Sequence, residues 1–354
     1  MSAIPEFTHE RVLTSQGARS GLIITVALHS SALGPALGGC RMWTYPTWMD
    51  GQADALRLSA AMTLKNAAAG LDAGGGKSVI ALPMGERLDS ARRRAALLDL
   101  GDLIEMLDGR YRTAEDVGTT EDDMVVVRER TAHVVGLPAG KGGAGEPAGA
   151  TALGVYSSIA PTLEAAFGSE RIEGRSFVIS GLGQVGGRLA RMLACEGARL
   201  TVTDIDDRKQ QLASELDARW ISPDRALTTE ADVFVPAGLG GILTDEAIDA
   251  LPVRAVVGPA NNPLADHSGA ARLQQRGIVY APDFVVNAGG VIHLEGMAHG
   301  MEWPAIAERL TGIGDTLRSV LTSAREQGTT TLEAAEALAY ARIDAARAQQ
   351  TVGV

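Results

Sequence analysis

Cysteine is scarce in this chain of 354 residues, which has only Cys40 and Cys195, far apart in the sequence. Two such cysteines cannot build a disulfide framework or a Cys-x-x-Cys metal pattern, and we expect a reducing, cytoplasmic setting. None of the six histidines lies in a close pair such as His-x-x-x-His. We therefore expect no histidine-rich metal site and assign no metal ligands.

Long apolar runs and excess positive charge are also missing. No run of about 18 apolar residues occurs, so we expect no membrane-spanning helix. The first thirteen residues carry charges and have no apolar core, which argues against a signal peptide. The formal net charge is −11, and an acidic surface of this kind argues against nucleic acid and anionic membrane as main partners.

The chain is rich in apolar residues and in glycine. Hydrophobic residues make up 45% of the sequence, and at about 150 residues per domain this length predicts roughly two domains. There are 42 glycines, well above the average usage of about 7%. They are clustered rather than periodic, which indicates backbone loops that approach ligands.

The first part of the sequence mixes strands and helices. An apolar, β-branched run predicts a strand, and a stretch rich in Ala, Leu and Met predicts a helix that ends at Gly70. The run Gly74–Gly76 precedes a second short strand. The predicted elements are strands at 22–28 and 78–82 and helices at 52–69, 90–107 and 125–130.

The second part alternates strands and helices, after a glycine-rich segment at 137–147 that predicts a hinge or a ligand-facing loop. This alternation is typical of a parallel sheet with helices on both faces. A helical tail follows at 302–350, with a break near Gly328. The other predicted elements are helices at 151–166 and 184–196 and strands at 176–180, 199–203, 233–235, 255–257 and 278–280.

A dinucleotide fingerprint lies at the start of this alternation. The hexamer follows a predicted strand and opens a helix, and Asp204 ends the next strand. A carboxylate there would bind a ribose diol and repel a 2′-phosphate, which favours NAD over NADP. Arg208 and Lys209, just downstream, leave NADP use open, and a glycine turn that binds another ligand is the alternative. The hexamer comprises Gly181, Leu182, Gly183, Gln184, Val185 and Gly186.

Three residues of the first part have side chains of the kinds that carry out chemistry in active sites: Lys65, Lys77 and Asp116. A lysine is costly to bury unless it is paired or functional, and both lysines lie in apolar or glycine-rich surroundings. Two lysines in one desolvated cleft would lower each other's pKa, so that one could act as a base. Spacing alone leaves plainer roles open, because Lys65 could extend from an amphipathic helix to solvent and Asp116 could cap a turn.

Six motifs, in the same order along the chain, resemble the leucine/valine/phenylalanine dehydrogenase family, which is related to the glutamate dehydrogenases. The resemblance extends over about residues 20–320. The motifs are Leu33–Trp43, Met62–Asn66, Gly74–Ser78, Thr113–Thr120, Gly258–Asn262 and Tyr280–Gly290.

The resemblance implies an α/β fold of two domains separated by a cleft. Residues 1–136 would form the substrate-binding, catalytic and oligomerisation domain, with the helix at 330–350 packed back on it. Residues 145–325 would form a doubly wound Rossmann domain that binds NAD. The implied reaction is the reversible oxidative deamination of an L-amino acid to a 2-oxo acid and ammonia, carried out by a homo-oligomer on small-molecule substrates.

The resemblance also implies a role for each site residue. Lys77 would activate water and stabilise charge at the substrate's α-carbon, Lys65 would hold the substrate carboxylate, and Asp116 would carry a proton to or from the amino group. The backbone of Gly38 and Gly39 would lie against the substrate, and Asn262 would contact the substrate as well. Asn261, beside it, would face the cofactor, and the Thr151 hydroxyl would orient the nicotinamide carboxamide.

The substrate side chain is expected to be apolar. Leu37 stands where glutamate dehydrogenases carry a lysine for the substrate's side-chain carboxylate, and Ala114, Val291 and Leu294 would line the same pocket by analogy. Branched aliphatic substrates are favoured and phenylalanine stays open, because one methylene gives only about 1–3 kcal/mol of discrimination.

Two other functions compete with this one. A 2-hydroxy acid dehydrogenase would need a histidine base and an arginine anchor, and no such pair stands out in the sequence. A non-catalytic NAD-binding protein would be expected to lose a polar member of the lysine and aspartate group, yet all three are present.

Overall fold

The structure is a computed structural model that describes residues 7–141 and 143–352. These residues divide into two compact units. The first unit holds the chain up to Glu146, Met297–Gly300 and the residues from Ala339 onward. The second unit holds Pro147–Gly296 and Met301–Leu338.

A five-stranded mixed sheet forms the centre of the first unit, with the order β1-β2-β4-β3-β5. β2 pairs with both β1 and β4 in antiparallel register, whereas β3 runs parallel to β4 and β5. Only the strands at 22–28 and 78–82 had been expected. The strands are β1 Arg11–Gln16, β2 Ile23–Ser30, β3 Ala36–Thr44, β4 Gly74–Leu82 and β5 Tyr111–Glu115.

Three helices of the first unit confirm the helices expected at 52–69, 90–107 and 125–130, with shifted ends. α3 begins four residues earlier than expected because the Thr120 side chain and the Asp123 side chain form a reciprocal capping box. Thr47 and Asp50 cap the first helix in the same way. The helices are α1 Trp48–Ala68, α2 Ser90–Glu105 and α3 Glu121–Arg128.

The run Gly74–Gly76 is part of strand β4, so the expectation that the strand begins only at residue 78 is wrong. Close packing explains why glycine occupies these positions. A β-carbon at Gly74 would overlap the Ser30 carbonyl oxygen, and one at Gly76 would lie 2.7 Å from the ring of Tyr111. Glycine is poor in strands on entropic grounds, but here it is required by the neighbouring backbone and ring.

Six parallel strands form the sheet of the second unit, in the order β11-β10-β9-β6-β7-β8. Starting from β6, this is the doubly wound order 3-2-1-4-5-6, which confirms the expected Rossmann-type fold. The strands are β6 Ser176–Ser180, β7 Arg199–Thr203, β8 Arg219–Trp220, β9 Val233–Pro236, β10 Ala255–Val256 and β11 Val279–Tyr280.

The helix expected at 151–166 is two helices, α4 Ala148–Ser157 and α5 Ile159–Phe167, with a break at Ser158. Pro161 has no backbone N–H to give to the carbonyl of Ser157, which interrupts the helical ladder at this point. Cys195, at the end of α6, is exposed rather than part of the core. The next helices are α6 Gln184–Cys195, α7 Gln210–Glu215, α8 Asp245–Ala250, α9 Gly269–Gln275, α10 Asp283–Val286 and α11 Gly289–Ala298.

The helical tail has the expected break. α12, Trp303–Gln327, ends at Gly328, which has a left-handed φ of 68°. α13 follows as Thr331–Val352, and its residues from Ala339 onward belong to the first unit. There, Ala339 and Ile343 pack in an apolar cluster with Ala32 and Ala67.

The described residues contain no helix with the length and apolar character needed to cross a bilayer. Within the same residues, no group of three or more His, Cys, Asp and Glu side chains is arranged to hold a metal ion.

Candidate active site

Lys77 and Asp116 form an ion pair in the first unit, with 3.1 Å between Lys77 Nζ and Asp116 Oδ1. Lys77 lies on β4 and is only 5% exposed, while Asp116 directly follows β5. The two strands flank β3, so sheet order brings their side chains together although 39 positions separate them in sequence.

Gly38 and Gly39 lie on β3, between these two residues. A β-carbon at Gly38 would overlap the carbonyl oxygen of Gly76, and one at Gly39 would lie 2.9 Å from the Asp116 β-carbon. Any larger side chain would therefore displace either β4 or the residue that carries the carboxylate. Close packing of the strands therefore requires glycine at both positions beside the ion pair.

Two cations act on Asp116. Burial on its own would raise the pKa of this carboxyl, but the Lys77 ammonium and the Arg41 guanidinium outweigh burial and lower it. Arg41 Nε donates to Asp116 Oδ2 over 3.0 Å. Each oxygen of the carboxylate thus has its own cationic partner, and the aspartate is held ionised.

Lys65 lies half-buried on α1, the helix that packs on β4. Its neighbour Asn66 is buried and donates hydrogen bonds to the carbonyl oxygens of Leu37 and Gly74. Met62, one turn earlier, lies 3.3 Å from the position of a β-carbon on Gly38. The segment that carries Lys65 is therefore anchored to the strands that carry the glycine pair and the glycine run.

Sequence reasoning missed Arg41 and the acid behind it, Asp54. Arg41 directly follows the segment Gly38–Cys40, and a charged residue inside a buried strand was the available signal. A second signal concerns the lysines. The chain has only four lysines against 28 arginines, yet two of the four are Lys65 and Lys77.

The glycine-rich hexamer of the second unit forms the turn from β6 into α6. Gly181 has a φ of 112°, which favours glycine, and a β-carbon at Gly186 would overlap the carbonyl oxygen of Gly181. Gly183 is the N-cap of α6, and a β-carbon there would meet no described atom within 4 Å. Open space beside bare amides at a helix N-terminus fits a pyrophosphate group.

Asp204 follows β7 and lies next to this turn. Its Oδ2 accepts a hydrogen bond of 2.6 Å from the Leu182 backbone N–H, and its Oδ1 accepts one of 2.9 Å from the Asp206 backbone N–H. The Asp204 carboxylate therefore holds the glycine turn in place through the Leu182 N–H.

Thr151 and Asn261, which were expected at the cofactor, lie near the start of α11, whereas Asn262, which was expected at the substrate, lies at the start of α10. The Thr151 hydroxyl oxygen would be 3.0 Å from a β-carbon on Gly290, and Asn261 Oδ1 accepts a hydrogen bond of 2.9 Å from buried Asn287. Asn262 has a left-handed φ of 48°, and its backbone N–H donates to Asp283 over 2.8 Å. This backbone bond holds the strained residue in place and leaves its side chain exposed.

The expected pocket residues are divided between the two units. Leu37 and Ala114 lie buried on β3 and β5 of the first unit. Val291 and Leu294 lie on α11 in the second unit, three positions apart and hence on one face of the helix. All four are apolar, and none offers a charge to a polar substrate side chain.

Two family models match the sequence. Residues 9–133 match the Glu/Leu/Phe/Val dehydrogenase dimerisation domain. Residues 200–351 match the model described as glutamate/leucine/phenylalanine/valine dehydrogenase.

Individual relatives are similar over nearly their whole length. A leucine dehydrogenase from Thermoactinomyces intermedius is 40% identical, over 97% of this chain and 93% of the relative. A phenylalanine dehydrogenase from Bacillus thermotolerans is 37% identical, over 95% of this chain and 89% of the relative. The crystal structure of L-tryptophan dehydrogenase from Nostoc punctiforme superposes with a TM-score of 0.82 and 34% identity, over 96% and 97% of the two chains.

Proposed function

This chain belongs to the Glu/Leu/Phe/Val dehydrogenase family, and from that membership we propose that it catalyses the reversible, NAD-dependent oxidative deamination of an apolar L-amino acid. The products are the 2-oxo acid, ammonia and NADH. The observation that carries this proposal is the ion pair between buried Lys77 and half-buried Asp116, beside the close-packed glycines of β3.

The cofactor would be held by the glycine turn and by Asp204. Gly183 would present its backbone to the pyrophosphate, Asp204 would accept from the ribose hydroxyls, and Thr151 with Asn261 would contact the nicotinamide end. These residues would hold NAD, whose nicotinamide would supply the hydride acceptor for the substrate's α-carbon.

The residues of the first unit would perform the proton transfers. Lys65 binds the substrate carboxylate, so that the α-carbon and amino group are oriented toward Lys77 and Asp116. Asp116 accepts a proton from the amino group at Oδ1, and Lys77 orients the attacking water and stabilises the negative charge that develops on oxygen. Loss of hydride leaves an iminium, water adds to its carbon, and Asp116 then returns its proton to the nitrogen so that the C–N bond can break. The two protons that the water oxygen loses pass to ammonia, which leaves as ammonium, and to solvent, so that atoms and charge balance.

We propose an apolar substrate because the four residues expected to contact its side chain are all apolar. Three of these side chains are buried and that of Val291 is half-buried; the buried ones are Leu37, Ala114 and Leu294. Branched aliphatic amino acids are the favoured class, in line with the name of the leucine dehydrogenase relative, and phenylalanine is the second candidate.

A panel of 2-oxo acids with NADH tests the function. Oxidation of NADH that requires added ammonia supports the proposal, whereas turnover without ammonia indicates a 2-hydroxy acid dehydrogenase. No turnover with any oxo acid would indicate a binding protein. Lys77→Ala is expected to lose turnover, and Lys141→Ala, which removes an exposed lysine, is the matched control.

We further propose a homo-oligomer. The first unit exposes Trp43, Trp48 and Met49, apolar side chains that a subunit contact would cover, and the matching family model is described as a dimerisation domain. Sedimentation equilibrium tests this, and a monomer would contradict it. The cytoplasmic location stays a prediction.

A further inference from the structure

A chain of alternating charges extends away from the proposed catalytic pair. Arg41 donates from Nε to Asp116 Oδ2 and from Nη1 to Asp54 Oδ2, each over 3.0 Å. One guanidinium therefore joins the residue after β5 to helix α1. Because the guanidinium is planar and rigid, both contacts constrain the same orientation of Arg41.

Asp54 is itself held from two sides. The Tyr45 hydroxyl donates to Asp54 Oδ2 over 2.7 Å, and Arg57 donates to Asp54 Oδ1 over 2.6 Å. The side chains of Arg41 and Asp54 are only 21% and 15% exposed, whereas that of Arg57 is 56% exposed. The inner part of the network is thus largely shielded from water, where charge–charge interactions are stronger than at the surface.

We propose that Arg41 is a positioning residue that holds the Asp116 carboxylate in the orientation needed for proton transfer, with Asp54 fixing Arg41. This inference rests on the proposed function, in which Asp116 carries the proton. Arg41 occupies one carboxylate oxygen, so the other stays directed at Lys77 and the substrate amino group. Without Arg41, the carboxylate could rotate about its Cβ–Cγ bond and lose this alignment.

Arg41 also contributes to the charge state of Asp116. Burial raises the pKa of this carboxyl, and Lys77 and Arg41 lower it below its usual range. Removing Arg41 leaves burial opposed by Lys77 alone, so the pKa of Asp116 is expected to rise. The titratable and charged groups around Asp116 are Lys77 on β4, Arg41 and Cys40 on β3, Tyr45 after β3, and Tyr111 and Glu115 on β5.

Three variants test the inference: Arg41→Gln, Arg41→Lys and the control Arg94→Gln. The control removes an arginine of the same unit that pairs with Glu129 and belongs to neither side of the Arg41 network. Arg41→Gln is expected to lower kcat about ten- to a hundredfold, which is at or below the lower end of the roughly 10²–10⁴-fold that general acid–base catalysis contributes, because Asp116 itself is kept. KM for the amino acid should change much less, because Lys65 and the glycines still bind the substrate.

The pH dependence separates positioning from a structural role. In Arg41→Gln, the acidic limb of the kcat profile for deamination should move to higher pH. Arg41→Lys keeps the charge but cannot bridge both aspartates with a rigid fork, so its profile should stay near that of the unaltered enzyme while kcat is intermediate. Arg94→Gln should change neither kcat nor its pH profile.

A titration that needs no substrate completes the test. The Asp116 carboxyl can be followed by infrared spectroscopy of protein labelled with ¹³C-aspartate, with its band assigned by its loss in Asp116→Asn. The band should titrate at higher pH in Arg41→Gln, and an unshifted band or an unchanged kcat profile would overturn this inference. If Arg41→Gln does not fold, a wild-type kcat in Arg41→Lys would overturn it. Absence of ammonia-dependent turnover in the unaltered enzyme would overturn only the proposed function.

Discussion

The hydroxyl of Tyr111 donates a hydrogen bond of 2.7 Å to the carbonyl oxygen of Gly38. Tyr111 is fully buried, and burial raises the pKa of its phenol, so the hydroxyl remains a donor across the neutral range. It also lies 3.2 Å from the Ser78 hydroxyl. The glycine segment of the proposed site is therefore supported from within the sheet by a side chain that does not itself react.

Tyr111→Phe is expected to lower the free energy of unfolding by about 1–2 kcal/mol, because the Gly38 carbonyl loses a buried donor. Urea unfolding followed by circular dichroism measures this change. Tyr340→Phe, which alters an exposed tyrosine, is the control and should have no effect. Equal stability of the two variants would contradict a supporting role for Tyr111.

Gly38→Ala is expected to prevent folding or to destabilise the chain by several kcal/mol. Its β-carbon would overlap the carbonyl oxygen of Gly76, which is backbone and cannot move aside without displacing β4. Thermal unfolding or soluble yield measures the effect. Gly312→Ala is the matched control, because it adds a β-carbon on helix α12 where no described atom lies within 4 Å. It should be neutral or stabilising by up to ~1 kcal/mol.

Gly183→Ala should fold normally yet bind NADH more weakly. The residue has a φ of −64° and open space at its β-carbon position, so the fold tolerates a methyl group. The same methyl group would occupy the space proposed for the pyrophosphate. NADH fluorescence titration should show a Kd at least tenfold higher, which corresponds to about 1.4 kcal/mol. Unchanged affinity would place the pyrophosphate elsewhere.

Asp204→Asn is expected to reduce the preference for NAD over NADP. The substitution removes the charge that would repel a 2′-phosphate and keeps one oxygen that can accept from the Leu182 N–H. The ratio of kcat/KM for the two cofactors should fall about tenfold. Asp206→Asn removes an acid that pairs with Arg208 instead, and it should change the ratio much less. Equal effects of the two substitutions would argue against Asp204 as the specificity residue.

The buried carboxyl of Glu115 is expected to make the folded protein less stable as pH rises. Burial raises the pKa of this carboxyl to about 7, with smaller contributions from Glu121, Asp116 and Glu146, and its Oε2 has no hydrogen-bond partner among the described residues. The pKa of Glu115 is higher in the folded chain than in the unfolded one. The protonated Glu115 carboxyl therefore contributes its full share to the free energy of unfolding at low pH, and this contribution is lost as pH rises through 7.

Between pH 5 and pH 8, the free energy of unfolding of the unaltered protein should fall by ~1–3 kcal/mol relative to Glu115→Gln. Urea unfolding at a series of pH values checks this. Glu105→Gln, at an exposed position, should leave the pH dependence as it is. Parallel curves for the unaltered protein and Glu115→Gln would contradict the buried, protonated carboxyl.

Local patterns were sufficient to predict much of the second unit. Strands at 176–180 and 199–203 and the helix from Gln184 were expected where they occur, because apolar periodicity and a glycine fingerprint act within a few residues. The strands β1, β3 and β5 were not foreseen. β1 is mostly exposed, and β3 and β5 carry glycine, arginine and glutamate, so their strand structure depends on pairing with distant neighbours.

In the candidate site, too, some features could be predicted from local sequence and others depend on the folded structure. Residue types and spacing were enough to single out Lys65, Lys77, Asp116 and the glycine turn. A charged residue in apolar surroundings and a tight glycine turn can both be recognised from a few adjacent residues. Only the folded chain shows that Lys77 and Asp116 are 3.1 Å apart, that Arg41 bridges Asp116 and Asp54, and that Gly74–Gly76 lie within a strand. These relationships join residues from separate strands and a helix. They arise from the order of strands in the sheet and from close packing, which no local stretch of sequence encodes.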